Sequence, residues 1–163
     1  MQFLNQAVQL DASRPQAYNF LGEIELYSLH QLGPAVQHYK AALEHGGEAT
    51  FHVLHDHGGT GFSRSCSGWL YVSHNGIRFE AFDSLHKFRA SRNEIFEAKK
   101  NRFGGGQVGQ IRIGGGNSGG STADVSAFHI RLHNGKGENY NLAPLSNYKE
   151  AERELILEII GKS

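Results

Sequence analysis

The sequence has a single cysteine, three prolines, no net charge and no long hydrophobic run. With Cys66 alone, the chain can form no internal disulfide and no multi-cysteine zinc site. Three prolines are too few for a collagen-like or proline-rich linker sequence. The 16 basic and 16 acidic residues cancel, which argues against a general polyanion binder and, in particular, against nucleic-acid binding.

Targeting and membrane-spanning patterns are also missing from the sequence. Its apolar runs stay well short of the roughly 18 residues that a transmembrane helix needs. Residues 1–6 lack the basic segment and apolar core of a signal peptide. A lone thiol fits a reducing compartment, so we expect a cytoplasmic protein.

Glycine is the residue in excess, with 21 in the chain. Nine of these glycines fall within residues 104–120, on both sides of a short apolar stretch. Because glycine loses more conformational entropy than other residues when it is ordered, we expect two mobile loops around a short strand. A phosphate-binding loop would require a helix directly after the glycines, and no helical pattern follows them.

The spacing of apolar residues changes near Gly47 and divides the chain into two predicted domains. Residues 1–47 have the 3–4 spacing of helices and residues 48–163 have short alternating runs typical of strands. Three helices are predicted in the first domain, over about residues 3–10, 15–29 and 34–44.

The second and third predicted helices carry aromatic and small residues in a recurring order. These residues are Tyr18, Leu21, Gly22, Ala35, Tyr39 and Ala42. The pattern resembles a tetratricopeptide repeat over about residues 2–46, as one complete repeat preceded by half of another. Because about three repeats are needed for a stable array, we interpret the chain as part of a longer protein. An ordinary three-helix addition to the following domain is the alternative.

The tetratricopeptide resemblance implies a binding surface for a protein or peptide. Helical-repeat proteins bind partners through exposed side chains of the first helix of each repeat. In this sequence, the corresponding positions are Asn19, Glu23 and Tyr27, which we predict to contact the partner.

Eight strands and a closing helix are predicted after residue 48. The strands cover residues 49–55, 68–73, 76–82, 86–89, 94–99, 108–113, 127–133 and 138–142. Asn75 and Gly76 form the strongest two-residue hairpin signal. The last helix is predicted to begin with a cap at Asn147 and to carry an apolar stripe. Four charged residues are predicted to face water, namely Glu150, Glu152, Arg153 and Glu154.

Several segments of this second domain resemble the pleckstrin-homology-like superfamily, particularly its bacterial and GRAM-like members. They are residues 68–73 (GWLYVS), the Asn-Gly turn, residues 77–80 (IRFE), residues 93–95 (NEI) and the closing helix. The resemblance implies an α+β protein in which a curled antiparallel β-barrel or sandwich is capped by the C-terminal helix. Phosphoinositide-binding members have basic residues between their first two strands. Residues 57–67 contain only Arg64 there, which makes lipid headgroup binding less favoured.

A run of basic residues follows in the middle of the second domain. Six cations fall within 16 residues, namely Lys87, Arg89, Arg92, Lys99, Lys100 and Arg102. Such a patch is suited to an anionic membrane or an acidic partner, although a solvated protein face is the more common reason for it.

His55 and His57 are the best candidates for a metal site. Alternate residues of a strand project to one side, so both side chains can reach one ion, whereas His52 would face the other way. No third ligand is fixed by spacing, so surface histidines and no metal are the favoured interpretation.

Taken together, these patterns predict a non-enzymatic protein-interaction or scaffold module without a cofactor. The alternative is a membrane-surface module that uses the basic patch.

Overall fold

A computed structural model describes residues 6, 11–57, 62, 64–101, 110–112, 122–124, 126–133 and 138–161. The first predicted helix, at residues 3–10, lies outside the described residues except for Gln6. Most of the glycine-rich segment and Arg102 also lie outside them.

The N-terminal part is a pair of packed helices. Helix α1 spans Pro15–Glu23 and continues into a π-helical turn at Ile24–Ser28, and helix α2 spans Leu32–Glu44. Pro15 suits the first turn of α1, because its missing N–H has no helical partner there. This is one helix pair among the described residues, so the tetratricopeptide repeat stays a resemblance.

Within the described residues, nine strands follow the helix pair. They are β1 (Ala49–Asp56), β2 (Ser65–Ser73), β3 (Gly76–Ala81), β4 (Lys87–Ser91), β5 (Ile95–Lys100), β6 (Gln110–Arg112), β7 (Thr122–Asp124), β8 (Phe128–Leu132) and β9 (Asn139–Pro144). Seven of them form one antiparallel sheet in the order β4-β3-β2-β1-β9-β8-β5, and β6 pairs with β7 separately. Each of the eight predicted strands overlaps an observed one. The sequence pattern missed β7, which is too short to show alternation.

The seven-stranded sheet is strongly curled. Phe88 of β4 stacks on Tyr140 of β9 with ring centroids 3.8 Å apart. The order of the sheet places these strands four spacings apart, which would be about 19 Å in a flat sheet. The contact therefore requires the sheet to close on itself, which confirms the predicted curled antiparallel architecture.

The C-terminal helix, α3 (Lys149–Ile160), packs against β2, β5 and β9. Its apolar residues Leu155, Ile156, Ile159 and Ile160 join the core, and Gly161 ends it in the left-handed conformation. The predicted cap at Asn147 is wrong: the helix begins two residues later and has no side-chain cap. The Tyr148 N–H instead donates to the hydroxyl of Ser146.

One hydrophobic core joins the helices to the sheet. Leu26 and Tyr39 of the helical part belong to the same buried cluster as Phe51, Phe128 and Ile156. The predicted division at residue 47 falls in the connection between α2 and β1. No helix in the described part of the chain is long and apolar enough to cross a membrane.

Candidate functional site

A groove of about 540 Å³ runs between α1 and the outer face of the sheet. We call it the helix–sheet groove. The residues that define it here are Asn19, Phe20, Glu23, Glu48, Trp69 and Tyr71. Along β2, Trp69 and Tyr71 alternate with the buried Leu70 and Val72. One face of the strand therefore faces the core and the other lines the groove.

The close approach of the chain at Gly47 shapes one end of the groove. An added Cβ on Gly47 would lie 2.3 Å from the Cβ of Pro15, at the start of α1. The turn between α2 and β1 therefore passes directly against α1, and a larger residue there would push the two apart.

Asn19 anchors α1 to the first strand. Its Nδ2 donates to Thr50 Oγ1 at 2.8 Å and to Glu23 Oε1 at 2.8 Å. Its Oδ1 accepts a 3.0 Å hydrogen bond from the Thr50 backbone N–H. The side chain is buried and committed to the fold, so a partner would have to displace these bonds to use it.

Tyr27 has a similar internal role. Its hydroxyl donates to Glu152 Oε1 at 2.6 Å and accepts from the His52 backbone N–H at 2.7 Å. The prediction that Glu152 faces water is wrong, because the helix pair covers that side of α3 and leaves the carboxyl fully buried. The partner role predicted for Asn19, Glu23 and Tyr27 stays a prediction. Of these three residues, only Glu23 brings a half-buried charge to the groove.

The groove carries negative charge that is only partly balanced. Burial raises the pKa of Glu23, hydrogen bonds from Thr50 and Asn19 oppose that shift, and Glu48 adds repulsion. Glu48 accepts a 3.1 Å bond from Arg78 Nη2. Among the residues that the structure describes, no cation forms an ion pair with Glu23.

Aromatic side chains form the apolar part of the groove. Phe20 projects from α1 with 52% of its surface exposed, although it lies on a helix that packs against the sheet. Trp69 is half-buried, and its ring meets those of Tyr27 and Phe82 edge-on at 5.8 and 5.7 Å. The groove thus combines accessible aromatic surface with the Glu23 carboxylate, which has no ion-pair partner among the residues described.

The six cations of the predicted patch are not collected on one strand. Lys87 and Arg89 lie on β4, whereas Lys99 and Lys100 lie on β5, and these are the two edge strands of the sheet. Lys99 pairs with Glu97, and Lys100 pairs with Glu154 of α3 at 2.8 Å. Arg92 lies in the turn between the two strands and donates to the Gly161 carbonyl at 3.4 Å, while Arg102 lies outside the described residues.

A second cluster lies on the inner face of the sheet and consists of His55, His57 and Cys66. We call it the His–Cys cluster. His55 and Cys66 are register partners on β1 and β2, and His57 follows the end of β1. The sulfur of Cys66 lies 3.1 Å from His57 Nε2 and 3.9 Å from His55 Nδ1. The third member was missed because Cys66 reaches the histidines only through the β1–β2 register.

The surroundings of His55 alter its protonation. Burial lowers the pKa of His55 to about 4, and repulsion from His57 and His86 contributes, so the His55 ring is neutral at pH 7. Burial raises the pKa of the Cys66 thiol. His52 lies on the opposite face, as predicted, where its ring packs against Trp69 and Phe82.

Comparisons with known proteins do not assign the chain to a family. No family model matches it, and no curated protein matches it. Among solved structures, it is similar to the C-terminal domain of an unknown protein from Leishmania infantum, with a TM-score of 0.46 and 14% identity over 73% of this chain and 90% of that one. It is also similar to the complex of the FERM and C-terminal domains of Drosophila Merlin, with a TM-score of 0.43 and 17% identity over 78% of this chain. The match spans 33% of the Merlin chain. Similarity at these TM-scores supports no conclusion about function.

Proposed function

We propose that this chain is a non-enzymatic protein-binding module of a larger protein. In this proposal, the helix–sheet groove binds an extended segment of a partner that carries a lysine or arginine beside an apolar residue. The observation that supports this proposal most is that Phe20 is exposed and lines the same groove as Trp69 and the half-buried Glu23.

The chemistry of the groove favours a cationic side chain in the partner. A carboxylate that is already half-buried forms a stronger, charge-assisted hydrogen bond than one in bulk water. Aromatic faces add a cation–π attraction of about 0.5–2 kcal/mol. Phe20 and Trp69 supply such faces next to Glu23, so a guanidinium or ammonium group can contact both kinds of surface.

The tetratricopeptide resemblance of the sequence gives a second reason to expect binding at α1. That resemblance makes α1 the first helix of a repeat, and in helical-repeat proteins the first helix supplies the side chains that contact the partner. The membrane-surface alternative has less support, because Lys99 and Lys100 are paired with carboxylates and Arg92 donates to a backbone carbonyl.

Selection from a phage-displayed library of random 12-residue peptides tests the proposal. We expect the purified chain to enrich peptides with lysine or arginine next to an apolar residue, and we expect Phe20→Ser and Glu23→Gln to lose that enrichment. Leu85→Ser is the matched control, because Leu85 is 79% exposed and lies outside the groove. Enrichment of acidic peptides, or enrichment unaffected by Phe20→Ser, would overturn the proposal.

A further inference from the structure

We propose that the His–Cys cluster binds one transition-metal ion of the zinc class, with His55, His57 and Cys66 as its protein ligands. The cluster lies on the inner face of the sheet, whereas the helix–sheet groove lies on the outer face. The two proposals are therefore independent, and each can fail without the other.

The spacing of the donor atoms suits a tetrahedral ion. The three potential ligand atoms lie within 4.8 Å of one another. Zinc bound at about 2.3 Å to sulfur and about 2.0 Å to nitrogen holds a sulfur and a nitrogen about 3.5 Å apart in tetrahedral geometry. The sulfur–nitrogen distances of 3.1 and 3.9 Å lie on either side of that value. Each of the two distances is about 0.4 Å from the tetrahedral value, so the donor atoms are already close to the spacing of such a site.

The donor set selects the class of metal. One thiol and two imidazoles favour zinc and related transition metals over calcium or magnesium, which require oxygen ligands. The neighbouring carboxyl of Asp56 projects to the opposite face of β1, where its Oδ1 accepts from the Phe62 N–H at 3.2 Å. It is therefore directed away from the cluster.

Aromatic side chains on one side hold the His55 ring in position. The His55 ring packs against Phe79, Phe88 and Tyr140 at centroid distances of 5.3, 5.5 and 5.8 Å. These contacts restrict the rotation of the ring, and an apolar shell of this kind controls how much water reaches a metal. On the other side, the His86 ring packs against that of His57 with ring centroids 4.2 Å apart.

Cobalt spectroscopy on the full chain tests the metal site directly. The chain is prepared without a polyhistidine tag, reduced, freed of metal with a chelator and titrated with Co²⁺. We expect one equivalent to bind with a thiolate-to-cobalt charge-transfer absorption and the intense visible bands of a tetrahedral ion. We expect Zn²⁺ to displace the cobalt and to raise the melting temperature of the chain.

Variants identify the ligands. Cys66→Ser should abolish the charge-transfer absorption and weaken Zn²⁺ binding by more than about tenfold, since even the loss of an outer-shell partner costs 10–100-fold. His57→Gln should weaken Zn²⁺ binding similarly. Because residue 57 lies beyond the end of β1, this variant can replace Cys66→Ser if Cys66→Ser does not fold. His74→Gln, in the exposed turn after β2, is the control and should bind as the parent does. Binding below one equivalent, or a spectrum unchanged by Cys66→Ser, would overturn the proposal and leave the cluster as a hydrogen-bonded Cys–His pair.

Discussion

The hydroxyl of Tyr27 donates a 2.6 Å hydrogen bond to Glu152 and so joins two residues 125 positions apart in the sequence. The same oxygen accepts the backbone N–H of His52. One hydroxyl therefore links the π-helical turn, β1 and α3.

Removal of this hydroxyl should destabilise the whole chain. Tyr27→Phe leaves the Glu152 carboxyl and the His52 N–H without this partner, and the loss of hydrogen bonds to buried groups typically costs about 1–3 kcal/mol. Urea denaturation followed by circular dichroism measures the change. Tyr18→Phe in α1 is the matched control and should stay within about 0.5 kcal/mol of the parent. Equal stability of the two variants would show that the Tyr27 bond contributes nothing.

Glu152 should make the chain more stable in mild acid. Burial raises its pKa from the ordinary value of 4.5 to about 7, while hydrogen bonds from Ser146 and Tyr27 only partly oppose the shift. The folded chain therefore holds a proton that the unfolded chain has released, and this group's contribution to stability falls as the pH rises from 4.5 to 7.

A comparison with Glu152→Gln isolates that contribution from those of the other carboxyl groups. Between pH 5 and pH 8, the free energy of unfolding of the parent should fall relative to that of the variant by up to about 3 kcal/mol. Denaturation curves at both pH values supply the four free energies. A parent and a variant that change in parallel would contradict a raised pKa at Glu152.

Gly22 is required where the two N-terminal helices cross. An added Cβ would lie 2.7 Å from the ring of Tyr39, and that ring is fixed by a 2.8 Å hydrogen bond from its hydroxyl to the Thr50 carbonyl. Gly22→Ala should therefore destabilise the chain by about 1–3 kcal/mol, although alanine is the better helix former. Thermal melting checks this. The control, Gly33→Ala, has open space around the new Cβ and should be neutral or slightly stabilising.

The chain should bind anionic membranes weakly. Each basic residue close to such a surface contributes about 1 kcal/mol, but Lys99 and Lys100 are held by carboxylates. Lys87 and Arg89 lie on the other edge strand of the sheet, and Arg92 lies in a turn. In flotation with phosphatidylserine vesicles at low salt, we expect most of the chain to stay unbound. Strong flotation that high salt or Lys87→Glu abolishes would instead favour the membrane-surface alternative.

The sequence predicts the strands well because their signal is local. Alternation such as that of Leu70 and Val72 against Trp69 and Tyr71 depends only on the two faces of a strand. The Asn75-Gly76 turn likewise needs nothing beyond its own residues, and it joins β2 to β3 as predicted.

Features that depend on contacts between distant segments could not be predicted in this way. The amphipathic pattern of α3 placed Glu152 in water, because no periodicity shows that Tyr27 covers it. Cys66 joins His55 only through the β1–β2 register, and the long connection between those strands does not fix a register by itself. The groove has the same origin, since Phe20 and Trp69 belong to different parts of the chain.

Trp69 is the only tryptophan of the chain and lines the helix–sheet groove, so its fluorescence tests the central proposal most directly. A tryptophan-free peptide from the selection, titrated into the chain, should shift the Trp69 emission saturably. The shift should be retained in Leu85→Ser and lost in Phe20→Ser. Binding can be measured separately by the fluorescence anisotropy of a label on the peptide. Protein binding at this groove would be contradicted if the peptide bound without changing Trp69 emission, or if it bound Phe20→Ser as tightly as the parent.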